Sequence, residues 1–88
     1  MRTLIVAALF AIASPLTLAA ANCPAHPKAE WLKPDDAKKQ IEAQGYKIRT
    51  FKTSGNCYEI YGHDKAGKKA EVYFDAKTLA IVKQEIGD

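Results

Sequence analysis

The chain is poor in the groups that most site chemistry requires. Its 88 residues include two cysteines, two histidines, one tryptophan and one methionine. The cysteines, Cys23 and Cys57, are far apart and form no C-x-x-C, which argues against a redox dithiol or a thiolate metal centre. His26 lies in a proline-rich stretch and His63 in a turn, neither with a second ligand at metal-binding spacing beyond nearby carboxylates. Ser54 and Thr53 fall in a turn with no base beside them, so no nucleophile–base–orienter set can be assembled. Neither charge sign dominates: the formal net charge is +3, which gives no pointer to nucleic acid. Internal repeats, low-complexity runs and linkers are absent. A single, non-enzymatic domain without a cofactor is expected.

One long hydrophobic run is present, and it is N-terminal. Arg2 precedes the apolar stretch Leu4–Leu18, and Ala19-Ala20-Ala21 follows as an A-x-A pattern. Residues 1–21 therefore read as a secretory signal peptide. The run is short for a bilayer span and Pro15 interrupts it, so no stable membrane span is expected after cleavage. A lipoprotein signal would need a small residue before Cys23, where Asn22 stands. Removal of residues 1–21 would leave 67 residues with 12 basic and 10 acidic side chains, enough for one thin core. The expected compartment is the periplasm or the medium. Residues 22–30 form a tail and 31–88 a domain. Two cysteines in a small exported domain predict a disulfide, Cys23–Cys57, worth about 3–4 kcal/mol on the chain-entropy estimate.

The domain is organised around residues 57–75, which read as one β-hairpin. Tyr58 and Ile60 alternate with Glu59 and Tyr61; Ala70, Val72 and Phe74 alternate with Lys69, Glu71 and Tyr73. Pairing Asp64 with Lys68 leaves a three-residue loop with Gly67 at the left-handed position. That register places Tyr58 opposite Phe74 on a core face. It places Glu59 opposite Tyr73, and Tyr61 opposite Glu71, on an open face. Upstream, Pro34 at the first helical position, with Asp35 and Asp36, starts a helix that Gly45 ends. Leu32 and Ala37 suit a hydrophobic staple across its start. Residues 46–53 form a strand whose Tyr46, Ile48 and Phe51 share a face if a bulge lies near Arg49-Thr50. Residues 79–83 form a last strand and 86–88 fray. The sum is an α+β domain: one α-helix on a four-stranded antiparallel meander sheet. Its predicted core is Trp31, Leu32, Ala37, Ile41, Tyr46, Ile48, Phe51, Tyr58, Ile60, Val72, Phe74 and Ile81.

Trp31, the helix, Gly45-Tyr46, Cys57-Tyr58-Glu59-Ile60-Tyr61, Asp64-x-x-Gly67-Lys68 and Glu71-Val72-Tyr73-Phe74-Asp75 occur in this order over nearly all of the mature chain. In this the chain resembles the small exported PepSY-domain proteins. Where their pattern continues with Asp-Pro and then Thr-Gly, this chain has Ala76 for the proline and Leu79 for the glycine, so that turn is expected to differ in shape. The resemblance implies a helix over an antiparallel sheet. Because PepSY domains also occur in propeptides of thermolysin-like metallopeptidases, it further implies restraint of a peptidase.

On the open face, Glu59, Tyr61, Glu71 and Tyr73 form an amphipathic patch suited to a protein partner in the cell envelope. Glu59 and Glu71, diagonal neighbours on a wet face, are expected to titrate normally, with Lys47, Arg49 and Lys69 supplying cross-strand charge pairs. Either the last strand or the Tyr46 strand is expected to offer an unpaired edge to which a peptide can add. The protein is read as a monomer that binds another protein. The alternatives are a small-ligand or metal carrier using His26 and His63, and a structural accessory of an envelope complex.

Overall fold

The computed structural model describes residues 21–87. The expected signal segment, apart from Ala21, lies outside the described residues, as does Asp88. Among the described residues, a short 3-10 turn (Lys28–Glu30) leads to one α-helix, α1 (Pro34–Ala43), which precedes four strands, β1 (Lys47–Ser54), β2 (Cys57–His63), β3 (Lys69–Asp75) and β4 (Ile81–Ile86). The sheet order is β1-β2-β3-β4 with every pair antiparallel, a meander. The expected α+β architecture is the observed one.

Helix α1 starts without a side-chain cap. Lys33 occupies the cap position, Pro34 is the first helical residue, and Asp35 and Asp36 place negative charge in the first turn. Pro34 costs nothing there, because the first turn has no intrahelical use for its missing N–H. Gly45, at φ 104°, turns the chain out of the helix in a region that disfavours a Cβ. Ala37 and Ile41 are fully buried on the face turned to the sheet. Leu32, just before the helix, is partly buried against the same core.

The hairpin has the predicted register: Tyr58 faces Phe74, Glu59 faces Tyr73, Ile60 faces Val72 and Tyr61 faces Glu71. Asp64 N–H donates to the Lys68 carbonyl, and the Asp64 carboxylate accepts the Ala66 and Lys68 amides. Gly67, at φ 84°, supplies the left-handed step. In β1 the register slips between Ile48 and Thr50, so Arg49 is the extra residue. The bulge brings Ile48 and Phe51 to the same face, packed against the core.

That core is Ala37, Ile41, Tyr58, Ile60, Ala70, Val72, Phe74, Ala76 and Leu79, with Trp31, Leu32, Tyr46, Ile48 and Phe51 packed partly buried around it. The Trp31 and Phe51 rings lie against Tyr58, and Tyr46 lies edge-on to Phe74. The segment leading into α1 is held by hydrogen bonds to the sheet, to the β3–β4 turn and to the tail. The Tyr58 hydroxyl donates to the Leu32 carbonyl at 2.6 Å, Leu32 N–H donates to Ala76, and Trp31 Nε1 donates to the His26 carbonyl. Cys23 and Cys57 are disulfide-bonded with their Cα atoms 5.4 Å apart, as the spacing and small size suggested.

The β3–β4 turn departs from expectation. Leu79 begins no strand: it holds φ 63° and buries its side chain in the core. It stands where the related pattern has glycine, the residue that this backbone favours. The turn runs on to Ala80, whose carbonyl accepts the Asp75 amide, and β4 starts only at Ile81. Ile81 is thereby displaced from the predicted core and is 45 % exposed. The reason is that α1 packs toward β1, at the opposite side of the sheet, and leaves the β4 edge uncovered. Ile86 does not fray: it pairs with Ala70.

Candidate functional site

The sheet face away from α1 carries Glu59 and Tyr61 from β2 and Glu71 and Tyr73 from β3, and the register brings all four together. They are not equally open. Glu59 is 2 % exposed and Tyr73 6 %, whereas Tyr61 is 40 % exposed and Glu71 lies between. The expectation of a uniformly wet face is therefore corrected. β2 is an interior strand, with neighbours on both sides of Glu59. Directly across from Glu59, Tyr73 packs against the Cys23–Cys57 disulfide and Ala21. The tethered tail thus covers one end of the face.

Burial changes the chemistry of the carboxylates. Glu59 Oε2 is buried with no hydrogen-bond partner. Its nearest cation is Lys52, whose Nζ is 3.9 Å from Oε1. Lys52, on β1, takes the role expected of Lys47, Arg49 or Lys69; it stands opposite Glu59 because the Arg49 bulge resets the register. Desolvation pushes the Glu59 carboxyl above the usual range, and its contact with Glu71 adds to the rise. The same contact holds Glu71 low, and the Tyr61 and Tyr73 hydroxyls also favour its charged form while burial opposes it. The two adjacent carboxyls are thus displaced in opposite directions, burial favouring the protonated form of Glu59 and the contact favouring the charged form of Glu71. A protonated Glu59 then has a donor to offer Glu71. The expectation that both titrate normally fails because it took the whole face to be wet, whereas Glu59 lies buried between two neighbouring strands at the end that the tail covers.

The tyrosines are fixed by this pair. The Tyr73 hydroxyl donates to Glu71 Oε2 at 3.0 Å. The Tyr61 hydroxyl is held protonated first by its hydrogen bond to Glu71, and that of Tyr73 first by burial. Lys52 Nζ lies 5.4 Å from the Tyr61 ring centroid, over its face, a cation–π contact. Next to Tyr61 the face opens into a shallow recess of about 330 Å³ that Arg49, His63, Lys69, Glu71 and Glu85 help to line. Both charge signs meet there around one exposed ring.

Asp75, at the end of β3, forms a second polar focus. Its carboxylate accepts the Lys77 and Thr78 amides at 2.8 and 3.2 Å and meets His26 Nε2 at 3.2 Å. Burial opposes ionisation of Asp75, but these donors outweigh it and hold the carboxyl below its ordinary range. His26 thus fastens the tail to the β3–β4 turn, while His63 lies at the recess, so the two histidines serve different places. Among the described residues no group of three or more His, Cys, Asp or Glu side chains is placed to hold a metal ion. Among them too, no helix is long and apolar enough to cross a membrane.

Sequence reasoning found the four residues of the face but missed Lys52, Asp75 and the Arg49–Glu85 recess. Lys52 was legible once the bulge was placed, because it then falls opposite Glu59. Asp75 was legible as the head of Asp-Ala-Lys-Thr, an Asx-type turn. Glu85 was hidden by ending the last strand too early. Comparison with curated proteins and with solved structures finds no match. The model of the peptidase propeptide and YPEB domain matches residues 3–85, nearly the whole length, and the chain belongs to that family.

Proposed function

We propose that this protein is an exported, non-enzymatic binding module that restrains a peptidase of the cell envelope, gripping it with the sheet face around Tyr61. Domains of this family are generally of the propeptide or inhibitor type, and the disulfide suits an oxidising compartment. The observation that carries the reading is the state of Tyr61. It is a large aromatic side chain, 40 % exposed, on a face whose neighbouring groups are tied by hydrogen bonds. A ring held in place loses little entropy on binding, which is what an interface anchor needs. The recess beside it has the size for one or two partner side chains and the charge of both signs to orient them. Of the four residues expected to meet a partner, Tyr61 and Glu71 are those it can reach. Glu59 and Tyr73 support them from beneath.

The reading is tested by following cleavage of a fluorogenic peptide by a thermolysin-type metallopeptidase at increasing concentrations of the protein. Inhibition should saturate. Tyr61→Ala should weaken it roughly 10- to 30-fold, the scale of an aromatic anchor, while Lys39→Ala, on the exposed side of α1, should not change it. Equal inhibition by the Tyr61→Ala protein would remove this face from the mechanism.

A further inference from the structure

The open edge of the sheet is β4, Ile81-Val82-Lys83-Gln84-Glu85-Ile86. Reversed about Gln84, the strand complements itself: Lys83 falls on Glu85, and Val82 on Ile86. We propose that two copies of the chain pair antiparallel through β4, about a two-fold axis at Gln84, joining their sheets into one. Three observations support this occupant over any other.

The first is the phase of the ladder. Gly87 N–H donates to the Lys69 carbonyl, so Lys69–Gly87 is a hydrogen-bonded pair. By alternation Glu71–Glu85 and Tyr73–Lys83 are too. The backbone groups of Gln84 and Ile86 therefore point away from β3, toward the open edge. A dyad at Gln84 makes Gln84 and its copy a hydrogen-bonded pair. Lys83 and Glu85 of the second copy then form a non-hydrogen-bonded pair, where side chains approach most closely.

The second is charge. Within one chain Glu85 stands opposite Glu71, a like-charge pair. Its own Lys83 is 3.7 Å away along the strand. A second copy brings another lysine to the open side of each Glu85. The other edge, β1, has Lys47, Arg49 and Lys52 and no acid, so two copies of it would repel.

The third is apolar exposure. Val82 is 39 % and Ile86 42 % exposed. The dyad brings Ile86 of each copy beside Val82 of the other, the residue that the register slip between Tyr73 and Phe74 leaves without a partner on β3, and so covers two exposed side chains on each chain. A single strand pair is a small interface, so the association is concentration-dependent.

Sedimentation velocity on the disulfide-intact protein, from about micromolar to about millimolar concentration, tests this. The wild type should shift from monomer to dimer. Lys83→Glu and Glu85→Lys each set like charges across the dyad and should weaken association at least tenfold. An equimolar mixture of the two variants should recover it, because opposite charges meet again. Gln84→Pro removes an N–H that the β3 ladder does not use, so it should give a folded monomer by circular dichroism. It decides the matter should the charge variants fail to fold. A wild type that stays monomeric throughout, a mixture that stays monomeric, or single variants that associate like the wild type would overturn the proposal. So would a monomeric wild type whose peptidase inhibition falls on Gln84→Pro, because the edge would then take a strand of the peptidase.

Discussion

Glu59→Gln should stabilise the protein at alkaline pH and leave it nearly unchanged in mild acid. Glu59 is raised above the ordinary 4.5 of a glutamic acid, and Glu71 is lowered from the same value. As the pH rises past 4.5 the unfolded chain releases the Glu59 proton first. The folded chain then holds the extra proton, and stability falls until the folded value of Glu59 is passed. As the pH drops below 4.5 the unfolded chain takes up a proton at Glu71 before the folded chain does, and stability falls again. The wild type therefore has two limbs, and the variant should lose the alkaline one. Above that limb the ionised Glu59 has a buried, unpartnered Oε2, a defect of about 1–3 kcal/mol. Lys52 returns little: its side chain is 52 % exposed and 3.9 Å away, a pair worth about 0.2–1 kcal/mol. The neutral amide removes the defect and can still donate to Glu71, for a net gain of about 1–2 kcal/mol. Thermal unfolding by circular dichroism between about pH 4 and about pH 9 measures it, at roughly 4–8 °C for each kcal/mol in a domain of this size. A difference between the proteins that does not change with pH, or a variant less stable at about pH 8, would refute the opposed shifts of the pair.

Three further perturbations probe the fold. Val72→Ala, at a fully buried site, should cost about 1–3 kcal/mol by lost burial and a residual cavity, read by chemical denaturation; a cost under half a kcal/mol would mean the sheet faces are reversed. Cys57→Ser opens a link between residues 34 apart and should cost about 2–5 kcal/mol; free-thiol labelling of the unreduced, denatured wild type should find no thiol. Leu79→Gly should be less damaging than Leu79→Ala by about 1 kcal/mol, because both lose the buried side chain but only glycine suits φ 63°. The opposite order would show that this turn carries no backbone strain.

Local pattern made most of the fold readable. Alternation with a glycine turn fixed the hairpin register to the residue, because a one-residue slip would have put Glu59 into the helix-covered core. Proline and glycine bracketed α1, and the spacing of Ile48 and Phe51 required the bulge. The β3–β4 turn was harder, since Leu79 violates the glycine rule and gains by burying its side chain, a tertiary effect no window reveals. The same holds for Ile81, whose exposure depends on where α1 lies over the sheet. At the site, the face of each side chain followed from parity, but its wetness did not. Glu59 and Tyr61 share a strand and a face, yet one is buried and the other open, because the disulfide pulls the tail over one end of that face only.

The most direct measurement is an amide NMR titration of isotope-labelled protein with a catalytically inactivated thermolysin-type metallopeptidase. Shifts centred on Tyr61, His63 and Glu71, with α1 unaffected, are the predicted result. Shifts confined to α1 and the Trp31 segment, or no shift at saturating peptidase, would contradict a peptidase-binding role for this face.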